Sequence, residues 1–83
     1  MSTAQLRQGP RRVVGAKEAL KKLAAGRVTA LYVARDAEPN VVQAVVASAE
    51  AHKIPIYYVE TKGELGQQCG IQVGAACAAT LAP

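Results

Sequence analysis

At 83 residues, with a formal net charge of +4 and no Trp or Phe in its apolar half, the chain is one small domain with a core of close-packed Ala and Val. A body of this size leaves little room for a deep catalytic cleft. No apolar run approaches the ~18 residues that cross a membrane, and "MSTAQLRQGPRR" lacks the apolar stretch of a secretory signal, so a cytosolic protein with no membrane partner is expected.

Residues 1–11 are polar and contain Gly9-Pro10; they read as a loose or weakly helical arm. "RVV" before Gly15 fits a short strand. From Ala16 to Ala25 the apolar positions Ala16, Ala19, Leu20, Leu23 and Ala24 recur at helical spacing, and Gly26 is a natural stop. "VTALYVA" (28–34) is the nearly unbroken apolar run of a strand covered on both faces. "RDAEP" is a loop, with Pro39 suited to the first turn of a helix over 39–52 whose stripe is Val42, Val45, Val46 and Ala49. "IYYVE" (56–60) is a further strand. Thr61 with Glu64 has the form of a capping box and opens a short helix over 62–69, closed by Gly70. "IQVG" is a turn or loop. The tail "AACAATLA" is open between helix, which alanine favours, and a last strand, which its position favours. The order β-α-β-α-β-α-β is that of a three-layer α-β-α sandwich on a largely parallel sheet.

Charge is placed unevenly along this order. Residues 1–27 hold Arg7, Arg11, Arg12, Lys17, Lys21, Lys22 and Arg27 against Glu18 alone, whereas residues 28–83 are net acidic. The asymmetry points to a polyanionic partner, with a merely solvated basic face as the plain alternative. Catalytic and metal chemistry find little footing. Cys69 and Cys77 lie eight apart without companion ligands, so they make no zinc site; they read as small buried residues, and a cytosolic disulfide is not expected. His52 stands alone near a helix end and reads as a surface residue. "GIQVGAA" matches neither a dinucleotide fingerprint nor a P-loop. No Ser-His-Asp set or carboxylate dyad is present, so no catalytic residue, metal or cofactor is expected.

The chemistry that remains is in "VVGAKEALKK" (13–22). A helix N-terminus is already electropositive, yet cations crowd this one. Free amides and cations together suit a phosphate backbone. The aromatics Tyr32, Tyr57 and Tyr58 lie in apolar strands and read as core, so base-stacking platforms of the kind single-strand binders use are absent. If the polyanion is a nucleic acid, recognition of a folded shape by backbone amides and cations is the better fit. Lys17 and Lys21 share one helix face with Glu18 beside them. The bland role for Glu18 is an i,i+4 ion pair with Lys22; the specific role is acceptance of hydrogen bonds from the donor edges of bases.

"VVGAKEALKKLAAG", "VARDAEP" and "VETKGELGQQCGIQVGAACAA" together resemble the bacterial branch of the ribosomal protein L-seven-Ae family, which binds kink-turn RNA. The match runs in order from Val13 to Leu81. It implies that the tail is a strand, making the sheet four-stranded and mixed, and that the partner is structured RNA with a kink-turn. It also implies that the helix opening at Gly15 and Ala16 enters the widened groove beside tandem sheared G·A pairs. Archaeal members carry Asn-Glu where this chain has Lys17-Glu18. Glu18 is thereby assigned to the guanines, and Lys17 to a base or a phosphate. Lys21 and Lys62 match lysines that approach RNA. Ile71, Gln72, Val73, Gly74 and Ala75 match an apolar loop that packs on the flipped-out nucleotide of the bulge; the proline that archaeal loops often carry there is absent. A monomer acting on ribosomal or riboswitch RNA is the expectation from the resemblance. A ribosome-associated protein-interaction module with an incidental basic face is the rival.

Overall fold

The computed structural model describes residues 11–82. The arm expected over 1–11 lies outside the described residues except for Arg11, whose carbonyl accepts the Leu81 N–H at 2.9 Å and so prolongs the sheet. Seven elements follow in the order read from the sequence: β1 (Arg12–Val14), α1 (Ala16–Ala24), β2 (Val28–Ala34), α2 (Pro39–Ala51), β3 (Ile56–Val59), α3 (Lys62–Cys69) and β4 (Cys77–Leu81). The ambiguous tail is a strand. Alanine's helix propensity is overridden here by tertiary context: the segment is held between β1 and β2, where its small side chains let helices on both faces come close.

The sheet order is β1-β4-β2-β3. Only β2 and β3 pair in parallel, with Leu31 opposite Ile56 and Ala34 opposite Val59; β4 runs antiparallel to both β1 and β2. The sheet is thus mixed, as the resemblance implied, and departs from the largely parallel sheet that the element order alone suggested; the cause lies after α3. Gly70 is left-handed (φ 79°) and turns the chain back at the end of this two-turn helix. The returning loop runs up beside the helix, and its Ala75 N–H donates to the carbonyl of Lys62, the first helical residue, at 3.0 Å. Beta4 consequently starts at the end of the sheet where β3 stops, and must run the opposite way.

The two faces of the sheet carry separate cores. Ala19, Leu23, Leu31, Val33, Val45, Ala49, Cys77 and Ala79 pack under α1 and α2. Ala30, Tyr32, Val59, Leu65, Cys69 and Ala78 pack under α3. The two cysteines thus belong to opposite layers and are free thiols. Burial pushes both thiols up; that of Cys77 is pushed from 9.0 to about 11. His52 is exposed, with its Nδ1 2.8 Å from the Ser48 carbonyl oxygen. Tyr32 is buried and stacks on the half-buried Tyr57, centroids 5.4 Å apart. Tyr58 departs from its expected burial. It is 50% exposed because β3 is an edge strand, and its ring carries the Arg35 guanidinium at 5.1 Å. Arg35 also pairs with Glu60 at 3.4 Å.

Candidate nucleic-acid interface

Alpha1 follows β1 after one residue. Gly15 makes that connection at φ 100°, ψ 151°, a conformation closed to side-chain-bearing residues, while its N–H donates to the Cys77 carbonyl at 2.8 Å. The start of α1 is thereby tied to the start of β4. The first intrahelical bond runs from Ala19 N–H to the Gly15 carbonyl at 3.0 Å. The Ala16, Lys17 and Glu18 amides precede it, with no side-chain cap on the helix. These are the amides that give a helix start its partial positive charge. Ala16 is half-buried against the α1–α2 core, whereas Lys17, Glu18 and Lys21 are exposed. Glu18 pairs with Lys21 at 3.5 Å, and not with Lys22. Both side chains remain more than half exposed, so this ion pair contributes little to stability and leaves either group free to exchange partners.

The second half of the site is built on α3. Thr61 caps the helix, its Oγ1 accepting the Glu64 N–H at 3.0 Å, as the capping-box spacing predicts. The loop after Gly70 then lies against this short helix. At Gly66 a Cβ would collide with the Val73 carbonyl, and at Gly74 a Cβ would come within 3.2 Å of the Lys62 Cβ. Helix and loop approach this closely only because both positions are glycine. Ile71 is half-buried and packs on the core under α3, Ala75 is buried, and Ala34 N–H reaches the Ala76 carbonyl at 2.9 Å. Gln72 and Gly74 are exposed, and Val73 stands 70% in solvent. The loop expectation thus divides. Ile71 and Ala75 anchor the loop and Val73 is its exposed apolar tip, because the loop is irregular, and two residues two apart, which would share a face in an extended strand, are turned to different sides.

Hydrogen bonds place all of these groups at one end of the sheet. Gly15 is bonded to Cys77, Ala34 to Ala76, and Ala75 to Lys62. The start of α1, the start of α3 and the 71–76 loop therefore lie at one end of the sheet, and of the residues assigned from the sequence Ala75 is a buried support there while Lys21 stands further along α1, joined to that end through Glu18. Sequence reasoning read residues 35–38 as a loop and gave them no place at this surface. Asp36 accepts the Lys62 N–H at 2.7 Å through Oδ1, and Ala37 is buried while Arg35, Asp36 and Glu38 are exposed. The available signal was an acid two residues past a strand end, ahead of Pro39, where α/β sheets gather their ligands. Among the described residues no cluster of three metal-ligating side chains occurs, and no helix is long and apolar enough to cross a membrane.

Comparison with known proteins finds relatives named as RNA-binding proteins. A relative called an RNA-binding protein in Caldanaerobacter subterraneus is 49% identical over 84% of this chain and 85% of its own length. Another from Halalkalibacterium halodurans is 44% identical over 95% and 96%, and RNA-binding protein YbxF of Geobacillus stearothermophilus is 36% identical over 98% and 99%. Among solved structures, the Giardia lamblia 15.5kD RNA binding protein superposes with a TM-score of 0.89 at 25% identity, covering 98% of this chain and 71% of that one. A Bacillus halodurans protein of unknown function shares the fold, with a TM-score of 0.82 at 17% identity over 94% of this chain and 81% of its own. The model of the ribosomal protein L7Ae/L30e/S12e/Gadd45 family matches residues 3–83, and the chain belongs to that family.

Proposed function

We propose that this protein binds structured RNA containing a kink-turn and stabilises its sharply bent form, as a monomer and without catalysis. The observation that carries the reading is the union, at one end of the sheet, of the uncapped α1 amides with Lys17 and Lys21 on one side and an exposed apolar loop tip, Val73, on the other. Amides and ammonium groups suit a phosphate backbone that has been brought close by a bend. Val73 suits the face of a base that has left the helical stack. Glu18, held loosely by Lys21, is free to accept hydrogen bonds from guanine donors of sheared G·A pairs. The names of the relatives support RNA as the polyanion. Ribosomal and riboswitch RNAs in a bacterial cytoplasm are the candidate targets.

Because only the bent geometry meets amides and loop tip together, binding shifts the RNA population toward it. A kink-turn duplex with a fluorophore on each stem, without magnesium, should show increased energy transfer on adding protein. A straight duplex should bind weakly and with strong salt dependence. Equal affinity for both duplexes, or unchanged transfer at saturating protein, would contradict the reading in favour of an incidental basic face.

A further inference from the structure

Lys62 is held through both of its peptide groups. Its N–H donates to Asp36 Oδ1 at 2.7 Å, across 26 residues of sequence. Its carbonyl accepts the Ala75 N–H at 3.0 Å. One residue therefore joins the turn after β2 to the loop that carries Val73. Asp36 itself stands on a fixed base: the Arg35 N–H donates to the Val59 carbonyl at 2.7 Å and the Ala37 N–H to the Ala34 carbonyl at 3.2 Å. A rigid series thus runs from the sheet to Asp36, to Lys62, to Ala75 and so to the loop tip. Asp36 is also out of place by charge. It is an exposed acid on the surface where cations and free amides gather, and it opposes any phosphate that approaches. A charge-assisted bond to the first amide of α3 accounts for it.

We propose that Asp36 is a positioning residue for RNA binding, acting through Lys62 to hold the 71–76 loop and the Lys62 side chain in register with the start of α1. The inference rests on the kink-turn reading and extends it to a residue acting one bond away from the RNA. A plain helix-capping role would be different. Thr61 already caps α3, so loss of Asp36 leaves the helix formed and loosens the connection between the two loops.

Asp36→Asn and Asp36→Ala have the same charge, but only Asn keeps an oxygen that can accept the Lys62 N–H. Comparing these two variants removes the general electrostatic gain from deleting an acid. Amide hydrogen exchange of the free proteins and affinity for kinked and straight duplexes at one salt concentration are the measurements. In Asp36→Ala the Lys62 and Ala75 amides should exchange faster while Gly15 and Leu31 keep their protection; in Asp36→Asn all four should stay close to the parent. Asp36→Ala should bind the kinked duplex about five- to tenfold more weakly than Asp36→Asn, the effect of about one net hydrogen bond, and the straight duplex equally. Equal kinked-duplex affinity for the two variants, or faster exchange at Lys62 with none at Ala75, would overturn the proposal. So would an affinity loss accompanied by faster exchange across the whole sheet. Failure of the kink-turn reading looks different: the parent itself would not distinguish the two duplexes, and the proposal would fall with it.

Discussion

Replacing Val73 by Asp tests the loop tip most directly, because folding and binding make opposite demands on this side chain. In the free protein Val73 is 70% exposed, so a polar replacement removes almost no buried contact and should change stability by no more than about 0.5 kcal/mol. Burying a whole valine contributes about 1.5–3 kcal/mol, and roughly seven-tenths of that area is still available to a base. Losing it should weaken the kinked RNA by about 1–2 kcal/mol, a five- to thirtyfold rise in Kd. The added charge repels phosphate as well, so Val73→Ser, which loses the apolar contact without adding charge, is needed beside it and should retain most of the loss. Titration of a labelled kink-turn duplex at two salt concentrations, with a thermal melt of each free variant, separates the terms. Unchanged affinity in both variants would refute the capping role. A large fall in melting temperature with normal affinity would mean that the tip is held inside the fold.

Three further outcomes follow from the geometry. Glu18→Ala should lose about 1–3 kcal/mol of discrimination for sheared G·A pairs, whereas Lys21→Ala should weaken kinked and straight RNA alike and lower the salt slope by about one; their exposed 3.5 Å ion pair predicts little change in melting for either. Gly66→Ala pushes a Cβ into the Val73 carbonyl, so it should destabilise the protein by about 1–3 kcal/mol and weaken kinked-RNA binding, while Gly63→Ala, whose Cβ would meet only Thr61 at 4.0 Å, should leave binding unchanged. The Cys77 thiol, pushed from 9.0 to about 11 by burial, holds its proton in the folded state after the unfolded chain has released it. Its contribution is complete below pH 9 and declines as pH rises toward 11, by at most about 1.4 kcal/mol per unit. Melting curves across that range should therefore fall less steeply in Cys77→Ala, and parallel curves would refute the assignment.

Much of this protein is local in origin and could be read from the chain. Gly15 ahead of an alanine-and-lysine helix, the unbroken run 28–34, Pro39 at a helix start and the Thr61–Glu64 pair each encode their element through neighbours a turn or a residue away, and the structure places all of them as expected. The basic character of residues 1–27 was likewise plain, since charge is counted without a fold. The tail was not legible from its own residues, because its alanines favour helix while its position favours a strand; its place between β1 and β2 decided it. Tyr57 and Tyr58 are adjacent and chemically identical, yet one is half-buried and one exposed, since they point to opposite faces of the edge strand and only Tyr57 meets a covered face, where it stacks on Tyr32. Ile71 and Val73 are similar in side chain and two positions apart, and only the path of the loop back along α3 turned one inward and left the other in water. Asp36 showed in sequence only its place after a strand end, and not its partner, which is 26 residues away. Periodicity and capping act over a few residues and are written in the chain. Which surfaces meet depends on the return of the chain at Gly70 and the close passage over Gly66, and that was decided only when the three layers packed.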